Sequence, residues 1–586
     1  MRTYTKPIAL LLVVSLLVSL TPVAASAEDG SFKSGMETAV CKGIEFLING
    51  VVGAVNLLLP DGENFYDRSA YTGEGFLAGT AQTSDGAASS HRWRLGSAEA
   101  SLVPDDWQTH EYYLGGYIML ENGMNNRVEE LLDDMRVRVA SIDDSTGRGT
   151  AVFAVVDSIG MTNKDVRRIR ARLMQRMPDT AFAGITVCST HCHSGIDTEG
   201  LWTNILRKIP KNLTRAFFRL GHLETGTDPQ YMEFLYETVA DAMERAVNGM
   251  QTGSLSYASK DVGSAYFTNK NRKSATALMT QMDRFVFTPD DENARPTMIV
   301  NVAAHPDVAG LPTNDGQSSG RGISGDYIYY MGEVINDAGY DFVFFNGAIA
   351  GIYMSRGRTN NAQTFTRRVQ QSERYGRTLG KMALSLTLTK QQIIDDEFLT
   401  DDAAEAAERA AAEANGASYF LWYDGWTPVR PTDVPADLKL RFAEVSVSVT
   451  NGIIKLAGKL NLAAYDVLRE GRNYFITTEI GFMELGGKVR VALMPGEICQ
   501  DLVVGGASLT AEGSFCGEDF GNRTICDLFG SDTIVFGLAN DAIGYVVPDN
   551  DYCMCGVFDH YHELISLGEY TASTILRAFA DLAAEG

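Results

Sequence analysis

The feature that most constrains the fold of this chain is a run of three stretches, apolar, amphipathic and apolar again. Residues 151–161 read AVFAVVDSIGM and residues 184–188 read GITVC, and both patterns are typical of buried strands. Between them, residues 163–177 have helical periodicity, with Asn163 as the candidate N-cap. A strand–helix–strand order favours a parallel pair of strands. The sequence therefore predicts an α/β fold, with a mixed β-sheet core and flanking helices.

Further apolar stretches with strand character follow along the chain. They are TMIVNVAAH at 297–305, DFVFFNG at 341–347, KVRVALMPGE at 488–497 and TIVFGLAN at 533–540. An Ala- and Glu-rich stretch at 401–416 predicts a solvated helix inside a helical insertion of about 391–436.

The first 27 residues have the pattern of a secretory signal peptide. Arg2 and Lys6 precede an apolar run, and residues 25–27 form a cleavage site of small residues. The run is short for a bilayer span, which needs about 20 residues. We therefore expect a secreted chain, with an N-terminal extension over 28–90 and the main domain over 91–586. The later apolar stretch at 46–59 is interpreted as a buried or surface helix.

The charge and the cysteines exclude some classes of protein. The formal net charge is −24, and loss of Arg2 and Lys6 with the signal peptide makes it −26. An acidic surface disfavours both nucleic acid and anionic membrane surfaces as partners. Eight cysteines in an exported chain allow disulfides but are too few for a disulfide scaffold. Five of them lie beyond residue 498, and their pairing stays open.

Histidine placement predicts a metal site. The chain has 8 histidines, and His191 and His193 directly follow the second predicted strand. If the extended geometry continues, both rings point to one side and Cys192 to the other. Other strand candidates end in or run on to His305, Glu497 and Tyr545.

The carboxyl ends of strands in α/β sheets meet in one crevice, where these side chains can converge. Imidazole nitrogen and carboxylate oxygen are ordinary Zn²⁺ ligands. Taken singly, His305 also fits a structural histidine and Glu497 a turn residue. Taken together, the residues favour a zinc site at the carboxyl ends of the strands.

The same residues lie in motifs that resemble those of the neutral/alkaline, non-lysosomal ceramidases. STHCHSG is similar to Thr-His-Thr-His-Ser-Gly, AAHPDV to Ala-x-His-Pro, and LMPGE to x-Pro-Gly-Glu. ISGDYIYY is similar to Ser-Asp-Asn-x-Gly-Tyr, and GLANDAIGYV to Gly-Leu-x-Asn-x-Tyr-x-x-Tyr-Ile. LGSAEASLVP, at 95–104, resembles the opening strand of the family, and the motif order is kept from there to near the C-terminus. The resemblance implies the family's catalytic domain, without room for its C-terminal immunoglobulin-like domain.

The resemblance also implies roles for individual residues. The implied zinc ligands are His191, His305, Glu497 and Tyr545. His193 would polarise the amide carbonyl or move a proton, and Tyr545 would also stabilise the oxyanion. The remaining implied catalytic residues are Arg272, Tyr561 and Ser324.

Several positions depart from the family pattern. Cys192 replaces a threonine, and Ser324 matches the family serine only if the alignment shifts by one residue. Residues 351–355, GIYMS, replace Gly-Asp-x-Ser, so the aspartate is missing. Ser324 is interpreted as the cap of a helix more readily than as a nucleophile, because metal-assisted hydrolysis needs no serine.

The resemblance implies a secreted zinc-dependent amidohydrolase that cleaves the N-acyl amide of ceramide or a similar lipid. One alternative is a zinc hydrolase of another N-acyl amide or ester on the same fold. A second alternative is an exported binding protein without turnover. Residues 201–222 are basic and apolar. This pattern predicts either an amphipathic helix broken near Pro210 or a lid over a site that binds an apolar substrate. The lid would also suit transient contact with a membrane or micelle.

Overall fold

The structure is a computed structural model. It describes residues 31–76, 81–82, 91–117, 126–203, 205–270, 277–310, 320–355, 368–400, 403–414, 416, 421–556 and 560–584. The predicted signal peptide at 1–27 and the predicted site residue Arg272 lie outside this part of the chain, so both stay predictions.

The described strands are short to medium in length. In chain order they are β1 Phe65–Asp67, β2 Ala81–Gln82, β3 Trp93–Ser101, β4 Glu130–Leu131, β5 Arg136–Asp143, β6 Thr150–Val156, β7 Phe182–Ser189, β8 Gln251–Asp261, β9 Phe267–Asn269, β10 Gln281–Pro289, β11 Thr297–Val302, β12 Gly322–Ile323, β13 Asp341–Asn346, β14 Ile352–Met354, β15 Thr432–Val434, β16 Leu438–Ser448, β17 Val467–Glu470, β18 Asn473–Leu485, β19 Val489–Leu493, β20 Glu497–Ile498, β21 Ile534–Phe536 and β22 Tyr545–Val546.

The described α-helices range from a single turn to 28 residues. In chain order they are α1 Ser31–Leu58, α2 Asn163–Arg176, α3 Ile205–Phe218, α4 Pro229–Asn248, α5 Asp326–Asp337, α6 Arg368–Ser385, α7 Lys390–Asp395, α8 Glu397–Thr400, α9 Ala403–Ala414, α10 Gly452–Lys459, α11 Asp501–Val504, α12 Ile525–Phe529 and α13 Thr571–Ala584.

Two mixed sheets face each other. Among the described residues, nine strands form one sheet in the order β13-β11-β10-β8-β3-β5-β6-β7, with β15 paired to β8. Seven strands form the other, in the order β1-β17-β18-β16-β2, with β19 between β18 and β21. The predicted parallel pair is present, because β6 runs parallel to β7. The α/β prediction is confirmed, and the core consists of two sheets.

The main core fills the space between the sheets. Alternate residues of β13 and β16 point into it, such as Phe345 from the first sheet and Phe442 from the second. Phe345 stacks on Phe536 of β21 with ring centroids 3.9 Å apart. Each such ring contributes about 1.5–3 kcal/mol by leaving water, so the aromatic contacts hold the sheets face to face.

Helices cover the outer face of each sheet. α2 and α4 pack on the outer side of β5 and β6, and α5 and α6 pack on that of β11 and β13. α13 covers the outer side of β16 and β18. The architecture is therefore four layers deep, helix–sheet–sheet–helix.

Helix α2 begins one residue earlier than the expected N-cap at Asn163 implies. Thr162, and not Asn163, is its N-cap, because the Thr162 side chain accepts the Asp165 N–H. Asn163 instead donates its side-chain amide to the Asn540 carbonyl, 3.0 Å away. This bond ties the start of α2 to the GLANDAIGY segment.

The predicted break in helix 201–222 is wrong. α3 runs without interruption through Pro210, which lies in its second turn. Leu213 and Ala216 of α3 pack against Ile48 and Val52 of α1. This packing offsets the hydrogen bond that proline removes.

The N-terminal extension contributes to the second sheet. β1 pairs in parallel with β17, and β2 pairs with β16. Within the described residues, Glu37–Leu58 of α1 is long and apolar enough to cross a membrane. The expected helix at 46–59 is therefore longer than predicted. Only 17% of that stretch is buried, and length and composition alone are weak evidence for a span.

Short helices lie in the region of about 391–436, whose status as an insertion stays a prediction. This region contains α7, α8 and the Ala-rich α9. Its last part, β15, returns to the first sheet and pairs antiparallel with β8.

Candidate metal centre

His191 and His193 follow β7 through a sharp change of backbone direction. The strand ends at Ser189, and His191 has a φ of 65°, in the left-handed region. The extended geometry expected for this segment is therefore wrong. Both rings nevertheless face one space, with centroids 4.8 Å apart. The thiol of Cys192 points elsewhere and donates to the Ser324 carbonyl at 3.1 Å.

The rings of His191 and His305 are fixed by backbone carbonyls. Nδ1 of His191 lies 2.7 Å from the Ile159 carbonyl oxygen, and Nδ1 of His305 lies 2.8 Å from that of Ile352. A carbonyl oxygen only accepts, so each Nδ1 carries the proton and donates it. Each Nε2 is left with a lone pair, which is the tautomer that binds metal.

Glu497 brings a carboxylate to the same point. Its Oε2 lies 3.2 Å from Nε2 of His191 and 3.1 Å from Nε2 of His305. His305 and Glu497 are almost completely buried. Among the described residues, His305 Nε2 and Glu497 Oε2 have no partner in hydrogen-bonding geometry.

These three atoms fit a metal ion. Three acceptors so close together in a buried space repel one another unless a cation lies between them. In a tetrahedral zinc site, neighbouring nitrogen and oxygen ligands lie about 3.3 Å apart. The observed separations agree with that geometry. We call His191, His193, His305 and Glu497 the His/Glu centre.

Electrostatics within the centre favour an ionised carboxylate. Burial acts to raise the pKa of Glu497, but the imidazoles of His191 and His305 outweigh burial and hold that pKa well below its usual value. Burial acts to lower the pKa of His191, and the Glu497 carboxylate raises it above its usual value. The carboxylate therefore stays ionised beside any cation that is bound.

His193 is placed beside the ligand atoms but differs from them. Both of its ring nitrogens are buried and lack a hydrogen-bond partner of ordinary geometry among the described residues. Burial, followed by the neighbouring imidazoles of His191 and His305, holds its pKa well below the usual value. His193 is therefore neutral near pH 7, with one nitrogen free to accept a proton. Tyr117 packs against its ring at 4.7 Å.

Tyr545 lies opposite Glu497 because β20 and β22 pair in parallel, residue for residue. The hydroxyl of Tyr545 is hydrogen-bonded to Tyr561. The Tyr561 hydroxyl lies 2.5 Å from that of Tyr353, whose ring stacks on His305 at 4.5 Å. Burial raises the pKa of all three tyrosines, so they are protonated donors at neutral pH.

Ser324 lies behind the centre. Its hydroxyl donates to Asp133 at 2.7 Å and accepts the Asp326 N–H at 2.9 Å. Its carbonyl accepts the Cys192 thiol. Ser324 precedes Gly325, which is the N-cap of α5, so the expected capping position is wrong by one residue.

The sequence did not single out Tyr353 and Tyr117 as site residues. Tyr353 lies in the segment 351–355, where the family motif has an aspartate, and that departure was the one signal for it. For Tyr117 the sequence carried no signal. Its hydroxyl donates to the Asp307 carbonyl, a contact that depends on the folded chain.

Comparison with known proteins supports the fold. No protein-family model matches the sequence, and no curated protein matches it either. The fold matches a solved neutral ceramidase from Pseudomonas aeruginosa, with a TM-score of 0.54, over 84% of this chain and 74% of that chain. This chain has the neutral ceramidase fold. Sequence identity to that structure is 14%.

A second solved structure, described as a ceramidase complexed with C2, gives the same result. Its TM-score is 0.53 at 14% identity, over 84% of this chain and 75% of that chain. Much of the chain therefore keeps one fold although few residues are shared.

Proposed function

We propose that this protein is a zinc-dependent amidohydrolase that cleaves the N-acyl amide of ceramide or a similar lipid, releasing a fatty acid and an amine. The observation that carries the proposal is the position of Glu497 Oε2, which lies 3.2 Å from Nε2 of His191 and 3.1 Å from Nε2 of His305. The neutral ceramidase fold and the motif resemblance supply the substrate class. We further propose that the chain is exported, on the pattern of residues 1–27.

His191, His305 and Glu497 would hold the ion, and Tyr545, opposite Glu497, would complete the set. Bound Zn²⁺ lowers the pKa of water to about 7 and polarises an acyl oxygen. The Ile159 and Ile352 carbonyls fix the two imidazoles and raise their basicity as ligands.

His193 would move the proton. As a buried neutral imidazole beside the ligand atoms, it can accept a proton from water and return it to the leaving amine. Tyr117 and the backbone of Gly116 confine its ring, since a Cβ at Gly116 would lie 2.5 Å from Nδ1. This confinement aims the ring at one position.

The tyrosine hydroxyls would stabilise the oxyanion. Tyr545 and Tyr561 stay protonated at neutral pH, and Tyr353 fixes the Tyr561 hydroxyl. A positioned donor of this kind acts most strongly where charge develops in the transition state. Arg272 would add a cation, on the resemblance of its segment to the family.

A lipid substrate fits the surface of α1 and α3. Large apolar side chains are exposed on or directly after these two helices, including Phe46, Leu47, Leu57, Leu58, Phe217, Phe218 and Leu220. Exposed apolar groups of this size mark interaction surfaces. Phe218→Ser together with Leu220→Ser should weaken sedimentation with neutral, zwitterionic vesicles, and unchanged sedimentation would contradict the contact.

A zinc hydrolase of another N-acyl amide or ester is the second candidate. The observation that favours it is Tyr353, whose ring stacks on His305 where the family motif has a neighbouring aspartate. The aromatic ring changes the shape of the site beside the proposed metal position, and hence which substrate head groups can fit there.

The deciding experiment measures zinc content and fatty-acid release from ceramide by the purified full chain. Zinc with turnover of ceramide supports the proposal. Zinc with turnover only of other N-acyl amides or esters, tested as a panel with varied head groups, supports the second candidate. Zinc-free protein that still binds ceramide would favour an exported binding protein and contradict both.

A further inference from the structure

A second group of metal-binding side chains lies outside the His/Glu centre. The sulfurs of Cys41, Cys553 and Cys555 all lie within 4.8 Å of one another. Each of these residues is at most 1% exposed. We call them the thiol cluster. Cys41 belongs to α1, whereas the other two lie more than 500 residues further along the chain, so the tertiary structure alone brings them together.

The local backbone supports this arrangement. The Cys555 N–H donates to the Cys553 carbonyl at 2.9 Å, which closes a tight turn between the two cysteines. Ile44 and Phe515 pack around the sulfurs. The thiols therefore share an apolar, water-poor space.

A carboxylate reaches the same space from α1. Glu45 lies one helical turn after Cys41, on the same face. Its Oε2 is 3.9 Å from the Cys553 sulfur, and its Oε1 accepts the Met554 N–H at 3.0 Å. The Met554 bond aims the carboxylate at the sulfurs.

The donor set fits a soft divalent cation. Cysteine sulfurs and a carboxylate oxygen are zinc ligands once the thiols have released their protons. In a tetrahedral zinc site with Zn–S bonds of about 2.3 Å, neighbouring sulfurs lie about 3.8 Å apart. That separation lies inside the 4.8 Å limit within which the three sulfurs of the cluster are gathered.

A disulfide explains the same residues less completely. It would join two of the three sulfurs and give no role to the third or to Glu45. A metal ion uses all four groups. Closed sites of cysteine ligands are typical of structural zinc.

We propose that the thiol cluster, completed by Glu45, is a structural zinc site that fastens α1 to the turn at 553–555. The fastened turn lies shortly before Tyr561 and its neighbour His562, which packs on Tyr545 at 4.4 Å. The site therefore joins the N-terminal helix to the segment that supplies tyrosines to the His/Glu centre.

The test replaces the bound metal of the full chain with Co²⁺. Cobalt with thiolate ligands gives a near-ultraviolet charge-transfer band that nitrogen and oxygen ligands do not give. The wild type should show this band, and Cys41→Ser and Cys555→Ser should each lose it. Cys516→Ser, a cysteine outside the cluster, and His305→Ala should keep it. Glu45→Gln should keep the band and weaken cobalt binding by about tenfold or more.

Absence of the band in well-folded wild-type protein would overturn the proposal, whatever the state of the variants. Mass spectrometry of a proteolytic digest made without reductant tests the competing explanation, a disulfide. A pair of peptides linked through Cys41 would show that the sulfurs form one. The readout is independent of turnover, so failure of the proposed hydrolase activity would leave it unchanged.

Discussion

The His/Glu centre and the thiol cluster show two ways in which this fold gathers distant residues around a cation. In the His/Glu centre, backbone carbonyls fix two imidazoles, and a carboxylate completes the set. In the thiol cluster, one helix and one tight turn meet through the three cysteine side chains and through the Met554 N–H, which Glu45 accepts. Both groups are buried, so burial does not distinguish them.

The difference lies in what stands next to the ligands. His193 and the tyrosines beside Glu497 are polar groups that can move or donate a proton. Beside the thiol cluster, Ile44 and Phe515 are apolar, and the nearby carboxylate of Glu563 is held by His560 and by the Cys553 N–H. Catalytic zinc sites keep an open position beside working groups, whereas structural sites are closed. We therefore propose chemistry for the first group and fastening for the second.

The largest expected effect is that of His305→Ala, which should affect the His/Glu centre and leave the thiol cluster unchanged. His305→Ala removes one ligand of the His/Glu centre and should abolish turnover and the metal bound there. The thiol cluster should keep its metal, because no described contact joins it to His305. Metal analysis and turnover measure both results, with the exposed His222→Ala as control. Metal lost from both sites would mean that the two are coupled.

His193→Ala tests whether one imidazole of the pair works on the substrate. The ring nitrogens of His191, His193 and His305 lie within 4.8 Å of one another, so all three are near enough for a metal ion. The metal should stay, because the proposal assigns only His191 of the pair as a ligand. Turnover should fall about 10²–10⁴-fold, the usual contribution of a general acid or base. Loss of metal as complete as in His305→Ala would place His193 among the ligands.

Tyr561→Phe removes a hydroxyl that touches both Tyr353 and Tyr545. Turnover should fall about 10²-fold, the cost of one oxyanion donor, with metal content unchanged. Tyr570→Phe, at an exposed tyrosine nearby in sequence, is the matched control. Equal turnover of the two variants would exclude an oxyanion role for Tyr561.

The smallest effect concerns the pH dependence of folding. Burial raises the pKa of Asp541 to about 7, and the unfolded value is about 4. Because the folded value is the higher one, this group stabilises the fold fully below about pH 4 and loses that contribution as the pH rises through 7. Asp541→Asn should reduce the loss of unfolding free energy between pH 5 and pH 8 by about 2–3 kcal/mol.

Urea unfolding at the two pH values measures this difference. The exposed Asp337→Asn should leave the pH dependence as it is in the wild type. A variant at position 541 with an unchanged pH dependence would show that Asp541 is ionised throughout the range.

Local patterns made much of the fold predictable. Residues 151–188 gave a strand, a helix and a parallel strand, and the structure has β6, α2 and β7 there. The strand ends that carry His191, His305 and Glu497 also lie together, as expected, although their role as ligands stays a prediction. Boundaries were less accurate, since β19 ends at Leu493 and Glu497 begins a separate strand.

The missed features depend on contacts between distant segments. The αL turn at His191 replaces the expected extended backbone, yet both rings still converge, because the Ile159 carbonyl fixes one of them. Tyr353 joins the site through stacking on His305, which no local pattern records. The pairing of cysteines was left open for the same reason.

The sequence by itself determined the α/β class, the strand ends that carry the histidines, and the residue types needed to bind a metal. These follow from periodicity and side-chain chemistry, which act over a few residues. Only the tertiary structure decided that two sheets stack, that Tyr353 meets His305, and that Cys41 meets Cys553 and Cys555. Such contacts are set by packing between segments hundreds of residues apart, and packing depends on the whole core at once.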